Sequence, residues 1–280
     1  MMLTPEQQAH FDVFGFLCLR QVFLFDEIIQ IRQAADEVFA ADYGGAGDDE
    51  RSQGMAPFAE LHPRLLDLAE DERVYGVVEH LLGSGFLWSG SEGKKEGLGG
   101  ENAHDWHADR PGPDETEYLR LKVMIYLQST TKEQGALRVI PGSHRMPFHE
   151  LLWPLQIQHF KDGTIGDSFA VKGEEIPACV LEIAPGDVVF FNHSLFHAAY
   201  GKFPGRRYIA FKYATRPDTD AKLRSMHKYA PYAFNVDPVL LERPRLRKIT
   251  EDLPALGEKA RALCGGADPE GHRFQISNRP

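Results

Sequence analysis

The chain has 280 residues, 42% of them hydrophobic and 26% charged, with a formal net charge of −10 at pH 7. That composition supports a globular core, and the length suits one large domain or two small ones. The acidic balance, with no run of Lys or Arg, argues against nucleic acid as a partner and fits a solvated surface. No apolar stretch approaches the roughly 18 residues that span a bilayer. The opening MMLTPEQQAHFD lacks a basic segment followed by an apolar one, so no signal peptide is expected. Cys18, Cys179 and Cys264 are odd in number and widely spaced, offering neither a disulfide framework nor a zinc knuckle. Reduced thiols and a cytoplasmic location are the expectation.

Thr4-Pro5-Glu6 supplies an N-cap followed by proline at the first helical position, which predicts a helix from Pro5. A second helix is predicted from the cap Asp26, where Ile28, Ile31, Ala35, Val38 and Phe39 recur at helical spacing until Gly44-Gly45. Residues 45–57 are polar and glycine-rich and read as a loop. A third helical stretch runs from about 65 to 82 and stops at Gly83. Glycines crowd residues 83–100, which predicts loops around a short strand near 86–89. Residues 118–128 read as a strand with Leu119, Leu121, Val123, Ile125 and Leu127 on one face and Lys122, Met124 and Tyr126 on the other.

Another strand is predicted over 135–140, ended by Pro141-Gly142. Strands over 178–183 and 188–191 flank Ala184-Pro185-Gly186-Asp187, a hairpin signal. A further strand covers 207–213. Helix signals return from Asp218, and a polar tail begins near Gly265. Residues 147–177 carry Trp153, Phe160 and Phe169 among Gly163, Gly166 and Gly173, and read either as a lid or as a surface insertion with its own helix. The prediction is a single α+β domain, mainly β. A helical part (about 1–83) and C-terminal helices (about 216–264) brace a jelly-roll or cupin-like barrel, a double-stranded β-helix, over about 84–215; 265–280 form the tail.

The strongest local chemical signal is His107-Ala108-Asp109, within HDWHADRPG and just before the long strand. In extended chain, residues two apart point the same way, so both side chains can reach one ion. An imidazole nitrogen and a carboxylate oxygen make two thirds of a facial triad, which leaves three positions open on iron(II). Such a tripeptide also occurs in solvated loops. The candidate third ligand is His197 in PGDVVFFNHSLFHAAY; the alternative is a core histidine. His193 and His197 could bind zinc together from a helix, but the β-branched and aromatic residues upstream favour strand.

Taken together, four ordered segments resemble the phytanoyl-CoA dioxygenase family of iron(II)/2-oxoglutarate oxygenases: LTPEQQAHFDVFGFLCLRQVF, HADRPG, GALRVIPGSHR and PGDVVFFNHSLFHAAYGKFPGRRYIAFKYA. The likeness runs from about residue 3 to 214. It implies His107, Asp109 and His197 as iron ligands, with 2-oxoglutarate and dioxygen as co-substrates. It also implies Arg206 as the anchor of the distal carboxylate of 2-oxoglutarate, with Arg207 as the fallback. A guanidinium fork matches a planar carboxylate bidentately. Relatives often carry a hydroxyl residue where this chain has Ala199, and Lys122 or Tyr126 are candidates to replace that contact. Lys122 could instead run out to solvent at the barrel rim.

Arg138 and Met124 are candidate substrate contacts, Arg138 facing either a substrate anion or an external carboxylate. The implied reaction releases succinate and carbon dioxide while oxidising a small organic substrate. Asp109 occupies the position that halogenating relatives vacate for halide, so hydroxylation or a related oxidation, such as desaturation, is expected over halogenation. The substrate is expected to be a small metabolite, an anionic one on the strength of Lys122 and Arg138, with no requirement for a coenzyme A thioester. Oligomeric state is not readable. The rival readings are a metal enzyme on a similar barrel that does not use 2-oxoglutarate, and an inactive binding module.

Overall fold

Thr4 begins the first helix by a reciprocal cap: the Gln7 N–H donates to Thr4 Oγ1 at 3.3 Å and the Thr4 N–H to Gln7 Oε1 at 2.9 Å. This helix, α1 (Pro5–Phe14), ends at Gly15 in the left-handed region and leads into β1 (Phe16–Leu19). Helix α2 spans Phe25–Asp42, and β2 spans Gln53–Met55. The single helix expected over 65–82 is two, α3 (Pro63–Glu70) and α4 (Glu72–Leu82). Asp71 is extended and its carboxylate accepts from the Arg73 N–H, so it caps a new helix instead of continuing the old one. The computed structural model describes residues 2–42, 52–98, 104–159, 171–201 and 204–266. Most of the expected 45–57 loop therefore lies outside the described residues, and its end forms β2.

The middle of the chain supplies β3 (Leu87–Lys95), β4 (His104–His107), the short helix α5 (Pro113–Thr116), β5 (Arg120–Tyr126) and β6 (Gln134–Val139). Two short helices follow, α6 (Phe148–Leu151) and α7 (Trp153–His159). Then come β7 (Cys179–Leu181), β8 (Val188–Asn192), β9 (His197–Gly201) and β10 (Arg207–Ala214). Helices α8 (Asp220–Tyr229), α9 (Pro238–Leu241), α10 (Pro244–Lys248) and α11 (Leu253–Leu263) close the described chain. Phe160 and Phe169 of the expected lid and most of the expected tail lie outside the described residues. No helix among the described residues is long and apolar enough to cross a membrane.

The strands form two antiparallel sheets, one in the order β1-β8-β5-β10-β3-β2 and one in the order β4-β9-β6-β7. This is the jelly-roll arrangement that the sequence predicts. β5 is buried on both faces. Leu121, Val123 and Ile125 join Phe190, Ile209 and Phe211 in a core shared with helical residues such as Ile28, Ile31, Leu65 and Val77. Met124 and Tyr126 point the other way, into a smaller core between the sheets with Leu137, Val139, Val189 and Phe191. The side of β5 that carries Lys122 is therefore the inside of the barrel.

Two expectations about turns and glycines need correction. β3 is nine residues long and continues through Gly93 and through Gly90, where its register with β10 shifts. A β-carbon at Gly93 would come within 2.4 Å of the Phe58 ring, so that glycine makes room for packing on a strand and does not mark a loop. The Ala184–Asp187 turn does not join a hairpin. β7 pairs with β6 in one sheet and β8 pairs with β1 and β5 in the other, so the turn carries the chain between sheets. Asp187 ties it down by accepting from the Ala184 and Gln21 N–H groups and from Arg20.

Gly186 in that turn has φ of +100°, and a β-carbon there would lie 2.2 Å from the Phe23 carbonyl oxygen. Gly186→Ala is expected to destabilise the fold by at least about 1–3 kcal/mol. Urea midpoints would check this; an unchanged midpoint would contradict it.

Candidate metal centre

β4 pairs with β9 so that His107 and His197 are directly opposite, with ring centroids 4.3 Å apart. Asp109 follows β4 by two residues. One ligand atom from each of His107, Asp109 and His197 lies within 4.8 Å of the others. The tautomers follow from the backbone. His107 Nδ1 is 2.7 Å from the Asp105 carbonyl oxygen and His197 Nδ1 is 2.9 Å from that of Leu195. A carbonyl can only accept, so each Nδ1 carries the proton and each Nε2 keeps its lone pair. Those two Nε2 atoms face Asp109 Oδ1, at 3.9 and 4.0 Å.

The protonation states suit a cation. Burial, then the neighbouring His197, pushes His107 down to about 3, and burial lowers His197 as well. Burial alone would raise Asp109, but Lys122 foremost among its neighbours outweighs it and holds the carboxyl well below the usual range. Two neutral imidazoles and one carboxylate are the donor set of a facial triad with open positions, so the residues present fit iron(II). His193 stays outside this cluster. It is buried, and neither ring nitrogen has a hydrogen-bond partner among the described residues.

A pocket of about 70 Å³ adjoins the cluster. Its lining includes His107, His197, Lys122, Met124, Tyr126 and Arg206. Arg206 is buried, and its guanidinium donates to the Gly135 carbonyl oxygen and reaches Glu96 at 3.4 Å. Arg207, the next residue on the strand, points the opposite way and pairs with Asp36 on α2. The pocket role that Arg207 held as a fallback is thereby corrected: side chains alternate across β10, and only one of the pair can face inward. Arg138 is also corrected. It stands between Leu137 and Val139, which face the inner core, so it points outward and donates to the Glu174 and Lys132 carbonyl oxygens.

Lys122 does not run to solvent. It is buried between Asp109 and Glu92. Ala199 lines the pocket with no hydroxyl to offer, and its register partner on β4 is His104. Sequence reasoning missed His104, Tyr208, Glu92, Glu96 and Lys212. The first two line the pocket, Glu96 pairs with Arg206, and Glu92 and Lys212 carry the charge network behind Lys122. The available signal was the alternation Gly90, Glu92, Lys94, Glu96 once β3 is given its full length.

The family model for phytanoyl-CoA dioxygenase matches residues 11–203. The chain belongs to the phytanoyl-CoA dioxygenase family. As a member it is an iron(II)/2-oxoglutarate-dependent dioxygenase. It is 27% identical to the ectoine dioxygenase of Sphingopyxis alaskensis over 222 residues, 71% of each chain. Its fold is similar to that of HygX from Streptomyces hygroscopicus, solved with nickel and 2-oxoglutarate. The TM-score is 0.63 at 20% identity, covering 77% of this chain and 88% of that one. A second HygX structure carries hygromycin B as well, with a TM-score of 0.58 at 20% identity, covering 76% and 88%. The phytanoyl-CoA dioxygenase match includes the His107–Asp109 segment and His197, and it ends three residues before Arg206.

Proposed function

We propose that His107, Asp109 and His197 hold iron(II), that Arg206 anchors 2-oxoglutarate, and that the enzyme hydroxylates a C–H bond of a small-molecule metabolite. Succinate and carbon dioxide are the co-products. One observation carries the proposal: the pocket that begins at the two histidines also has the buried Arg206 in its wall. When bound, iron(II) supplies the activation of dioxygen that is coupled to decarboxylation of 2-oxoglutarate.

The chain's own residues do the rest. Arg206 offers a fixed fork to a carboxylate in a desolvated site, where such a bond is strongest. Its guanidinium and the Lys94 ammonium share one partner, Glu96, which burial opposes and His104 and Lys94 hold ionised, down to about 2. Tyr126 and Tyr208, register partners on β5 and β10, wall the same pocket with Met124 and Leu137.

The substrate class rests on the relatives: one is an ectoine dioxygenase and another, HygX, binds hygromycin B, and both compounds are small molecules. An anionic substrate loses its support. Lys122 is committed to Asp109 and Glu92, and Arg138 faces away from the pocket. Asp109 supports hydroxylation over halogenation, since a halide could enter only by displacing it.

The test is turnover with iron(II), 2-oxoglutarate and candidate metabolites under isotopically labelled dioxygen, with chloride present. Succinate and a product carrying one labelled oxygen are expected. A chlorinated main product, or turnover without succinate, would refute the proposal.

A further inference from the structure

Asp109 is held from two sides. Oδ1 faces the two histidines, while Oδ2 lies 3.2 Å from Lys122 Nζ. Lys122 is 8% exposed, and its ammonium also meets Glu92 Oε1 at 2.8 Å. The other oxygen of Glu92 meets Lys212 Nζ at 2.5 Å. The result is a chain of alternating charge, its two lysines buried and its two carboxylates partly so: Asp109, Lys122, Glu92, Lys212. Three of its members come from the adjacent strands β5, β10 and β3, and two of them, Lys122 and Lys212, are directly opposite in register. Like charges placed so repel, and Glu92 between them turns repulsion into attraction. Buried ion pairs are poor sources of stability, because desolvation costs several kcal/mol per ion. Apolar side chains would pack this row at least as well. What apolar side chains could not do is hold one oxygen of a carboxylate.

We propose that Lys122 is a positioning residue for the metal carboxylate: it pins Oδ2 of Asp109, so that Oδ1 alone is presented on the histidine side. Glu92 and Lys212 in turn fix Lys122. This inference rests on the assignment of His107, Asp109 and His197 as metal ligands. Its chemical consequence concerns the open positions. A carboxylate can bind a cation through one oxygen or both. Released from Lys122, Asp109 would be free to bring both oxygens to the ion and occupy a position that a 2-oxo acid needs.

The experiment titrates the purified protein with Co(II) as an oxygen-stable stand-in for iron(II). The Co(II)-loaded protein is then titrated with N-oxalylglycine, an unreactive analogue of 2-oxoglutarate, and with oxalate, which has a chelating head and no distal carboxylate. For Lys122→Met, both chelators should weaken by about 10-fold or more, whereas Co(II) affinity should stay within about 3-fold, because the second oxygen that Asp109 can then bring to the ion offsets the usual cost of losing an orienting partner. The visible Co(II) spectrum should change, and Lys122→Arg should restore most of both effects. Glu92→Gln, which keeps Lys122, should shift the chelators in the same direction by less.

Four results would overturn the inference. Weakening of N-oxalylglycine alone would make Lys122 a contact to the distal carboxylate. Weakening of both chelators with an unchanged Co(II) spectrum would make it a mere source of positive charge. Unchanged chelator binding in Lys122→Met, or in Glu92→Gln should the methionine variant not fold, would leave it a space-filler. Failure of the unaltered protein to bind Co(II) would remove the site assignment itself.

Discussion

His197→Ala is expected to cost more than about 100-fold in metal affinity, since even the partners that merely orient a ligand are worth ~10–100-fold. Turnover should fall below detection with it. His193→Ala, four residues away, is expected to leave metal content intact. The contrast comes from strand geometry. His197 opens β9 opposite His107, and its Nδ1–H is fixed by the Leu195 carbonyl, so Nε2 is presented to Asp109. His193 lies before that strand, in the turn after β8, where its backbone bonds to Arg120 and Arg110 and its ring nitrogens find no partner among the described residues. Removing His193 relieves two unsatisfied buried atoms, and the cavity it leaves offsets that gain. Metal analysis of the purified variants, beside the succinate assay, reads both outcomes. Metal lost from His193→Ala and kept by His197→Ala would move the third ligand.

The parts of this site that could be read in the sequence are those fixed by local periodicity. Alternation along β5 put Lys122, Met124 and Tyr126 on one face, and all three line the pocket. The His107–Asp109 spacing places two donors on one side of extended chain, and the structure brings them together with His197. What could not be read depends on which strands meet. A turn signal at 184–187 reports that the chain bends, not which sheet receives it, and here the two flanking strands enter different sheets. Lys122, Glu92 and Lys212 are far apart in sequence, and only the strand order joins them. β3 was hidden for a third reason. Its glycines serve close packing, Gly93 against Phe58 and Gly90 against Tyr232, and a glycine-rich segment reads as loop when the neighbour that needs the space is unknown.

The adjacent arginines show the same boundary at single-residue scale, and they carry the other large prediction. Alternation requires that Arg206 and Arg207 face opposite ways but does not say which faces in. In the structure Arg206 is 4% exposed and lines the pocket, whereas Arg207 reaches Asp36 on α2. A charge-assisted bond to a carboxylate contributes about 1.5–3 kcal/mol, so Arg206→Ala should raise the KM for 2-oxoglutarate at least ~10-fold. Because that contact is the same in ground and transition states, kcat at saturating 2-oxoglutarate should fall far less than kcat/KM. Glu96 would keep Lys94 and His104 as partners in the variant, so its charge is not stranded. Arg206→Lys separates charge from shape: it keeps the cation and loses the fork, and should fall between the two. Arg207→Ala gives up an ion pair whose Asp36 side chain is 43% exposed, worth at most about 1 kcal/mol of stability, and should leave the KM for 2-oxoglutarate unchanged. Steady-state kinetics with 2-oxoglutarate as the varied substrate would settle the choice, and a KM effect confined to Arg207→Ala would transfer the anchor to that residue.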